Sequence, residues 1–350
     1  MQVLSRSRIG DSLSPTDWDC LLRDARRCAL LPRLPHHLPA TAAVPPPVRR
    51  QLQSGEKVGR FFERQLRWEI ECLSRDLQEF AEPVVFLKGA AYLLTDLPIA
   101  RGRHVNDIDI LVDRQQLAKA EQVLRQHGWQ PLPVSEYDDR YYRQWMHELP
   151  PLRHPQRKMA LDLHHALLPP TGRVRPDTSQ LLQAAQPIST SMLPDAKVLC
   201  PEDMYLHAAA HMFQDGELSG SLRDLLDLDG LYRHFSAADG RFPHRLIQRA
   251  NVLQLQRPLH YALRYTRRLL LTPVDEEAAA MLSPLGPSWG SAWVMDRLVH
   301  RALIPPNQDG TPVKQRFAQF ILYLRSHWLR MPPLLLARHL TRKLLSRLRS

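Results

Sequence analysis

The segment Asn106-Asp107-Ile108-Asp109-Ile110-Leu111-Val112 constrains this chain more than any other. Two acids alternate with apolar residues in a run that otherwise reads as a buried strand. A strand has a side-chain period of two, so Asp107 and Asp109 project from one face. About 6–7 Å apart along that face, two carboxylates repel each other and are costly to keep ionised together. A hard divalent cation answers such a pair, since Mg²⁺ takes one or two carboxylates plus substrate phosphates. Solvated strand-edge acids are the plain alternative, and the apolar setting argues against them.

Two further segments extend the pattern. In Met159-Ala160-Leu161-Asp162-Leu163-His164, Asp162 alternates against leucines and shares a face with His164. Three carboxylates on adjacent strands can hold two cations and activate a hydroxyl for in-line displacement. Asp162 is the one best placed to take the hydroxyl proton. His164 orients Asp162, touches substrate or makes a structural hydrogen bond. Leu87-Lys88-Gly89-Ala90-Ala91 reads as strand into helix. Gly89 lets the backbone approach a phosphate, the helix start supplies free N–H groups, and Lys88 adds a charge. In the basic loop Arg101-Gly102-Arg103-His104, Arg103 is the candidate phosphate clamp, with Arg101 behind it.

The remaining chain is organised around this core. Helices are expected over residues 15–31 and 48–80, separated by a Pro-rich linker at 32–47. On the second helix, Val58, Phe61, Phe62, Leu66, Ile70, Leu73 and Leu77 mark the buried side. Strands are expected at 84–87, 107–112, 142–149 and 159–164, with helices at 90–97 and 114–127. Beyond residue 170 the chain reads as helical, with Pro201-Glu202-Asp203 opening one helix and Leu222 to His234 forming another. Three regions follow: an N-terminal helical region at 1–80, an α+β core at 81–170, and a helical C-terminal region at 171–350.

Composition narrows the partners. With 47 Lys and Arg against 36 Asp and Glu, the net charge of +11 favours anionic partners: nucleoside triphosphates, nucleic acid or an acidic membrane surface. Four cysteines without CxxC spacing give neither a zinc ribbon nor a disulfide framework and fit a reducing compartment. With neither an apolar leader nor a run of ~18 apolar residues, the expected address is cytoplasmic, peripheral to a membrane at most. The peripheral option comes from residues 314–350, where bases are interleaved with leucines and no acid follows Asp309. That pattern suits an anionic membrane or a nucleic-acid backbone, and equally a terminal helix packed on the body. His207 and His211, four apart on a helix, share a face, but residue 208 is Ala and the Glu of a zinc-protease motif is absent. Asp224 and Asp227 read as structural ion-pair partners.

Lys88-Gly89, then Arg103 to Val112, then Leu161-Asp162-Leu163-His164 together resemble the polymerase-β-type nucleotidyltransferases. More narrowly, they are similar to a bacterial uncharacterised nucleotidyltransferase family. Glu202-Asp203, Leu206-His207, His211 and Leu222 to Asp227 extend the likeness over roughly residues 80–235. The resemblance implies a polymerase-β-like core, a small mixed sheet with helices, flanked by helical regions. It implies transfer of a nucleoside monophosphate from an NTP, with Mg²⁺ or Mn²⁺, to a hydroxyl on a small molecule, protein or RNA. Asp107, Asp109 and Asp162 would be the metal-binding and catalytic residues, and Lys88, Gly89 and Arg103 would hold the phosphates. Many superfamily members carry Gly-Gly or Gly-Ser where this chain has Gly89-Ala90. That departure motivates a second reading, a binding protein that kept the fold and lost turnover. A third is a membrane- or RNA-associated adaptor acting through the basic C-terminal segment.

Overall fold

The computed structural model describes residues 13–38, 43–188, 195–215, 218, 220–305, 311–338 and 341. Three helices come first: α1 (Pro15–Arg27), α2 (Leu34–His37) and α3 (Pro46–Asp76). Next are β1 (Val84–Phe86), α4 (Lys88–Leu94), β2 (Asp107–Leu111), α5 (Leu117–Gln126), β3 (Gln130–Pro131), α6 (Glu136–Trp145), β4 (Leu152–Arg153) and β5 (Ala160–His164). Then come α7 (Thr178–Ala184), β6 (Gln186–Pro187), β7 (Ala196–Val198), α8 (Pro201–Ala210) and a π-helical turn at His211–Asp215. The chain continues through α9 (Leu222–Ala238), α10 (Phe242–Val252), α11 (Gln256–Leu270), α12 (Glu276–Leu282), α13 (Trp289–Ala302) and α14 (Val313–Arg330).

The strands form one mixed seven-stranded sheet in the order β3-β4-β5-β2-β1-β7-β6. Its centre is apolar because β1 is buried on both faces and β2 and β5 are nearly so. The parallel pairing of β2 with β5 sets the register that matters for chemistry: Asp109 lies opposite Asp162 and Asp107 opposite Ala160. Helix α8, with Met204, Tyr205, Leu206, Ala209 and Ala210 buried, has no polar face and sits inside the helical half between α9, α10 and α11. A continuous hydrophobic core runs from Trp18 in α1 through the sheet to Leu322 in α14. Among the described residues no helix is long and apolar enough to cross a membrane.

Several expectations from sequence are corrected. Residues 142–149 do not form a strand: most of that stretch belongs to or borders α6, which Ser135 caps by accepting from the Asp138 amide at 3.1 Å. Acids in the first turn suit that helix start, and Tyr137, Tyr141 and Trp145, four apart, meet on one helix face. Strand β4 is instead a two-residue segment further on. Beyond residue 170 the chain is not all helical, because β6 and β7 return to the sheet and β7 pairs in parallel with β1.

The long helix is α3, and Val58 and Phe61 on it are 44% and 52% exposed rather than buried. Glycines make the buried face there. A Cβ on Gly55 would stand 3.0 Å from Leu31, and one on Gly59 3.0 Å from the Gly102 Cα. Close approach of backbone to backbone, not apolar side chains, sets the orientation of that half of the helix. The Pro-rich stretch is not a free linker either: α2 packs on α3, and Arg33 is 1% exposed. Most of the tail helix read over 334–349 lies outside the described residues.

Candidate active site

The first strand delivers the chain to the site through an uncommon backbone step. Lys88, the first residue of the seven-residue α4, has a positive φ (42°), rare for a residue with a Cβ. That turn brings the Lys88 ammonium 2.9 Å from Asp109 Oδ1. From the other side His164 Nε2 reaches the same oxygen at 3.0 Å. Burial alone would raise Asp109, which is 4% exposed, but Lys88 and His164 outweigh it and hold the carboxyl well below its usual range. Burial likewise opposes charge on Lys88 and His164, yet Asp109 keeps the ammonium protonated and raises the imidazole.

The other two carboxylates are in the opposite condition. Asp107 is raised by burial and by Asp109, against a smaller pull from Lys88. Asp162 is pushed up to about 8 by burial, then by Glu148 and Asp109. Its Oδ1 is buried with no hydrogen-bond partner among the described residues. Glu148, which sequence reasoning missed, completes the group through Oε2, 3.4 Å from His164 Nε2. It arrives by an antiparallel bridge from residue 148 to His164 at the end of β5. Nothing in the segment reveals that pairing, because the bridge depends on where α6 ends. Asp107, Asp109, Asp162 and Glu148 thus neighbour one another, with one unsatisfied buried oxygen. Carboxylate oxygens are the donors a hard dication such as Mg²⁺ or Mn²⁺ takes, but Asp107, Asp109 and Asp162 do not form a group within ion-sharing distance in this arrangement.

A cleft opens beside the β2 pair. It is lined by Lys88, Gly89, Tyr92, Arg103, Val105, Asp107, Asp109, Ala208, His211, Arg223, Asp224 and Asp227. Its enclosed part is about 90 Å³, room for a phosphate group but far below the several hundred Å³ of a whole-nucleotide pocket. Arg103 is held by Asp227 (Nε to Oδ2, 2.8 Å), and Asp227 is also bound by Arg33 at 2.7 Å. Burial would raise Asp227, but these two guanidiniums outweigh it and lower the carboxyl. Helix α9 therefore positions the arginine of the β1–β2 connection, while Arg33 ties both to α2. Gly89 lies beneath that arginine: a Cβ there would stand 2.6 Å from Arg103 Nη1 and 2.7 Å from Val105 Cγ2. Its missing side chain makes room for Arg103.

The structure thus brings Lys88, Gly89, Arg103, Asp107, Asp109 and Asp162 to one region, with Asp162 facing Asp109 and Glu148 rather than lining the cleft. Arg101 is exposed and not among the lining residues. His207 is buried and held neutral by burial and the nearby Lys88, while His211 lines the cleft from the π-helical turn. Tyr92 also lines it without having carried a sequence signal, and Arg223, from the Leu222 to Asp227 likeness, lines it and donates to the His104 carbonyl at 3.2 Å. No curated protein matches the chain. The sequence profile of the uncharacterised nucleotidyltransferase family matches residues 14–271, spanning the N-terminal helices, the whole sheet and α8 to α11. The chain belongs to that family and is a nucleotidyltransferase.

Proposed function

We propose that the protein transfers a nucleoside monophosphate from an NTP to a hydroxyl acceptor, with Asp107, Asp109 and Asp162 as metal-binding and catalytic residues. The observation that carries this reading is the shared face of Asp109 and Asp162 on parallel, register-matched strands, with Asp107 two residues away. Mg²⁺ or Mn²⁺, held by these carboxylates, would polarise the phosphates and lower the charge of the in-line displacement. The residues do the rest. Arg103, fixed by Asp227, and Arg223 turn positive charge toward the cleft and grip phosphate oxygens. Lys88 balances Asp109, so the strand can carry its charges before substrate arrives. Asp162, raised to about 8 in the metal-free site by burial, Glu148 and Asp109, would give up its proton once cations are held there and then accept the proton of the attacking hydroxyl. The enclosed volume suits the phosphate end of the nucleotide, leaving base and ribose toward the helical half.

The test is NTP binding and pyrophosphate release with Mg²⁺ or Mn²⁺ in the wild type and Asp109→Asn. Metal-dependent binding with release lost in the variant supports the reading. Equal release by both proteins, or binding indifferent to metal, refutes it.

A peripheral contact with an anionic membrane or nucleic acid through residues 314–350 is a second element of the proposal. It is favoured by Phe317 and Phe320 exposed on α14 beside the bases Lys314 and Arg316, and by exposed Leu334. Deleting residues 331–350 is expected to weaken association with anionic vesicles or RNA, leaving what Phe317, Phe320, Lys314 and Arg316 contribute, and to leave NTP binding intact. Loss of NTP binding would instead make the segment part of the body.

A further inference from the structure

One cluster in the site is not explained by nucleotidyl transfer. His147, Glu148 and His164 bring one ligand atom each to within 4.8 Å of one another. His164 Nε2 stands 3.4 Å from Glu148 Oε2, and His147 Nε2 stands 3.9 Å from the same oxygen. Asp109 Oδ1 lies 3.0 Å from His164 Nε2 but outside this three-residue group, which leaves the fourth position to water. Four ligands around a tetrahedral dication with bonds of about 2.0–2.1 Å are separated by roughly 3.3–3.4 Å. The 3.4 Å between His164 and Glu148 meets that value, and the 3.9 Å between His147 and Glu148 exceeds it.

The scaffold is built for fixed geometry. The Leu149 amide donates to the Leu163 carbonyl at 3.0 Å and the His165 amide to the His147 carbonyl at 2.9 Å, so the strip 147–149 is locked to the end of β5. The rings of His147 and His164 lie 5.3 Å apart, at 4% and 1% exposure. His164 Nδ1 has no hydrogen-bond partner among the described residues. The ring's polar contacts therefore all run through Nε2 toward carboxylates, where either a proton or a cation can stand. Two imidazoles beside acids are an odd choice for Mg²⁺, which prefers oxygen throughout. They suit a first-row transition metal, for which imidazole is a favoured ligand.

We propose that His147, Glu148 and His164 form a second cation subsite, selective for a transition-metal dication of the Zn²⁺ class, beside the oxygen-only site of Asp107, Asp109 and Asp162. Asp109 lies next to both subsites, its Oδ1 3.0 Å from His164 Nε2. The inference goes beyond nucleotidyl transfer, and no nucleotide enters its test, so it stands or falls apart from that reading.

The experiment is a Co²⁺ titration of the full chain, stripped with chelator, in the presence of millimolar Mg²⁺. Mg²⁺ saturates the oxygen site, and a single equivalent of Co²⁺ is expected to bind with the visible absorption of a nitrogen-ligated, low-coordinate ion. X-ray absorption on the Zn²⁺-loaded wild type is expected to count two imidazoles around the metal. His147→Ala is expected to weaken Co²⁺ binding at least tenfold. Should that variant not fold, the wild-type imidazole count still decides. Absence of Co²⁺ binding under Mg²⁺, an oxygen-only shell, or unchanged Co²⁺ affinity in folded His147→Ala would overturn the proposal.

Discussion

Replacing Asp162 with Asn is expected to stabilise the metal-free protein while it removes turnover. In the folded chain the carboxyl is raised to about 8 by burial, Glu148 and Asp109. In the unfolded chain it titrates near 3.9. Between those values the folded state holds a proton that the unfolded state has released, so folding stability falls as pH rises through the window. The slope is about 1.4 kcal/mol per pH unit for one group, giving a ceiling of about 4 kcal/mol between pH 5 and pH 8. Water entry and rotation of the Asp162 side chain reduce this, and a difference of about 1–3 kcal/mol is expected. Asn has the same shape and no charge to lose, so its advantage over the wild type should be small at pH 5 and largest at pH 8. Urea unfolding of both proteins in chelator, at the two pH values, measures it. Adding Mn²⁺ should raise the midpoint of the wild type at pH 8 more than that of the variant, because the cation offsets the buried negative charge that Asp162→Asn removes. A variant no more stable than the wild type at pH 8, or a gain equal at both pH values, would refute the account of this carboxylate.

Other perturbations follow from particular contacts. Asp109→Asn leaves the buried Lys88 without its carboxylate and is expected to destabilise by about 2–4 kcal/mol in chemical denaturation, besides abolishing activity. Arg33→Ala removes one of two guanidiniums on buried Asp227 and should cost about 3–5 kcal/mol, read as a lowered melting temperature. Gly89→Ala places a Cβ 2.6 Å from Arg103 Nη1, so NTP affinity should fall together with about 1–3 kcal/mol of stability. Gly230→Ala drives a Cβ to 2.1 Å from Ile99 Cγ2, and Ile99→Ala in the same chain should recover part of the loss, making the pair non-additive in unfolding measurements.

The carboxylates on β2 and β5 were legible because a strand's two-residue period is local: four apolar neighbours are enough to orient Asp107, Asp109 and Asp162. Parallel pairing then set Asp109 against Asp162, as adjacent strands required. Glu148 was not legible, since its approach to His164 depends on α6 ending just before a bridge formed across sequence. The strand expected at 142–149 failed because Ser135 caps a helix start upstream of it, and Tyr137, Tyr141 and Trp145 then meet at helical spacing. Strand β7 is three residues long, too short for periodicity, and exists because β1 offers it a parallel edge. Glycine-lined packing of α3 escaped a reading that looks for apolar stripes. Arg33 escaped because its partner, Asp227, lies 194 residues away.

The most direct test of the central claim is the fate of isotopic label from NTPs carrying it on the α- or the γ-phosphate, incubated with Mn²⁺ and a cell extract as the source of acceptor. The account predicts that the α-label becomes attached to acceptor and the γ-label leaves in pyrophosphate, with both events lost in Asp107→Asn. Transfer of the γ-label to acceptor, or α-labelling that persists unchanged in the variant, would contradict it.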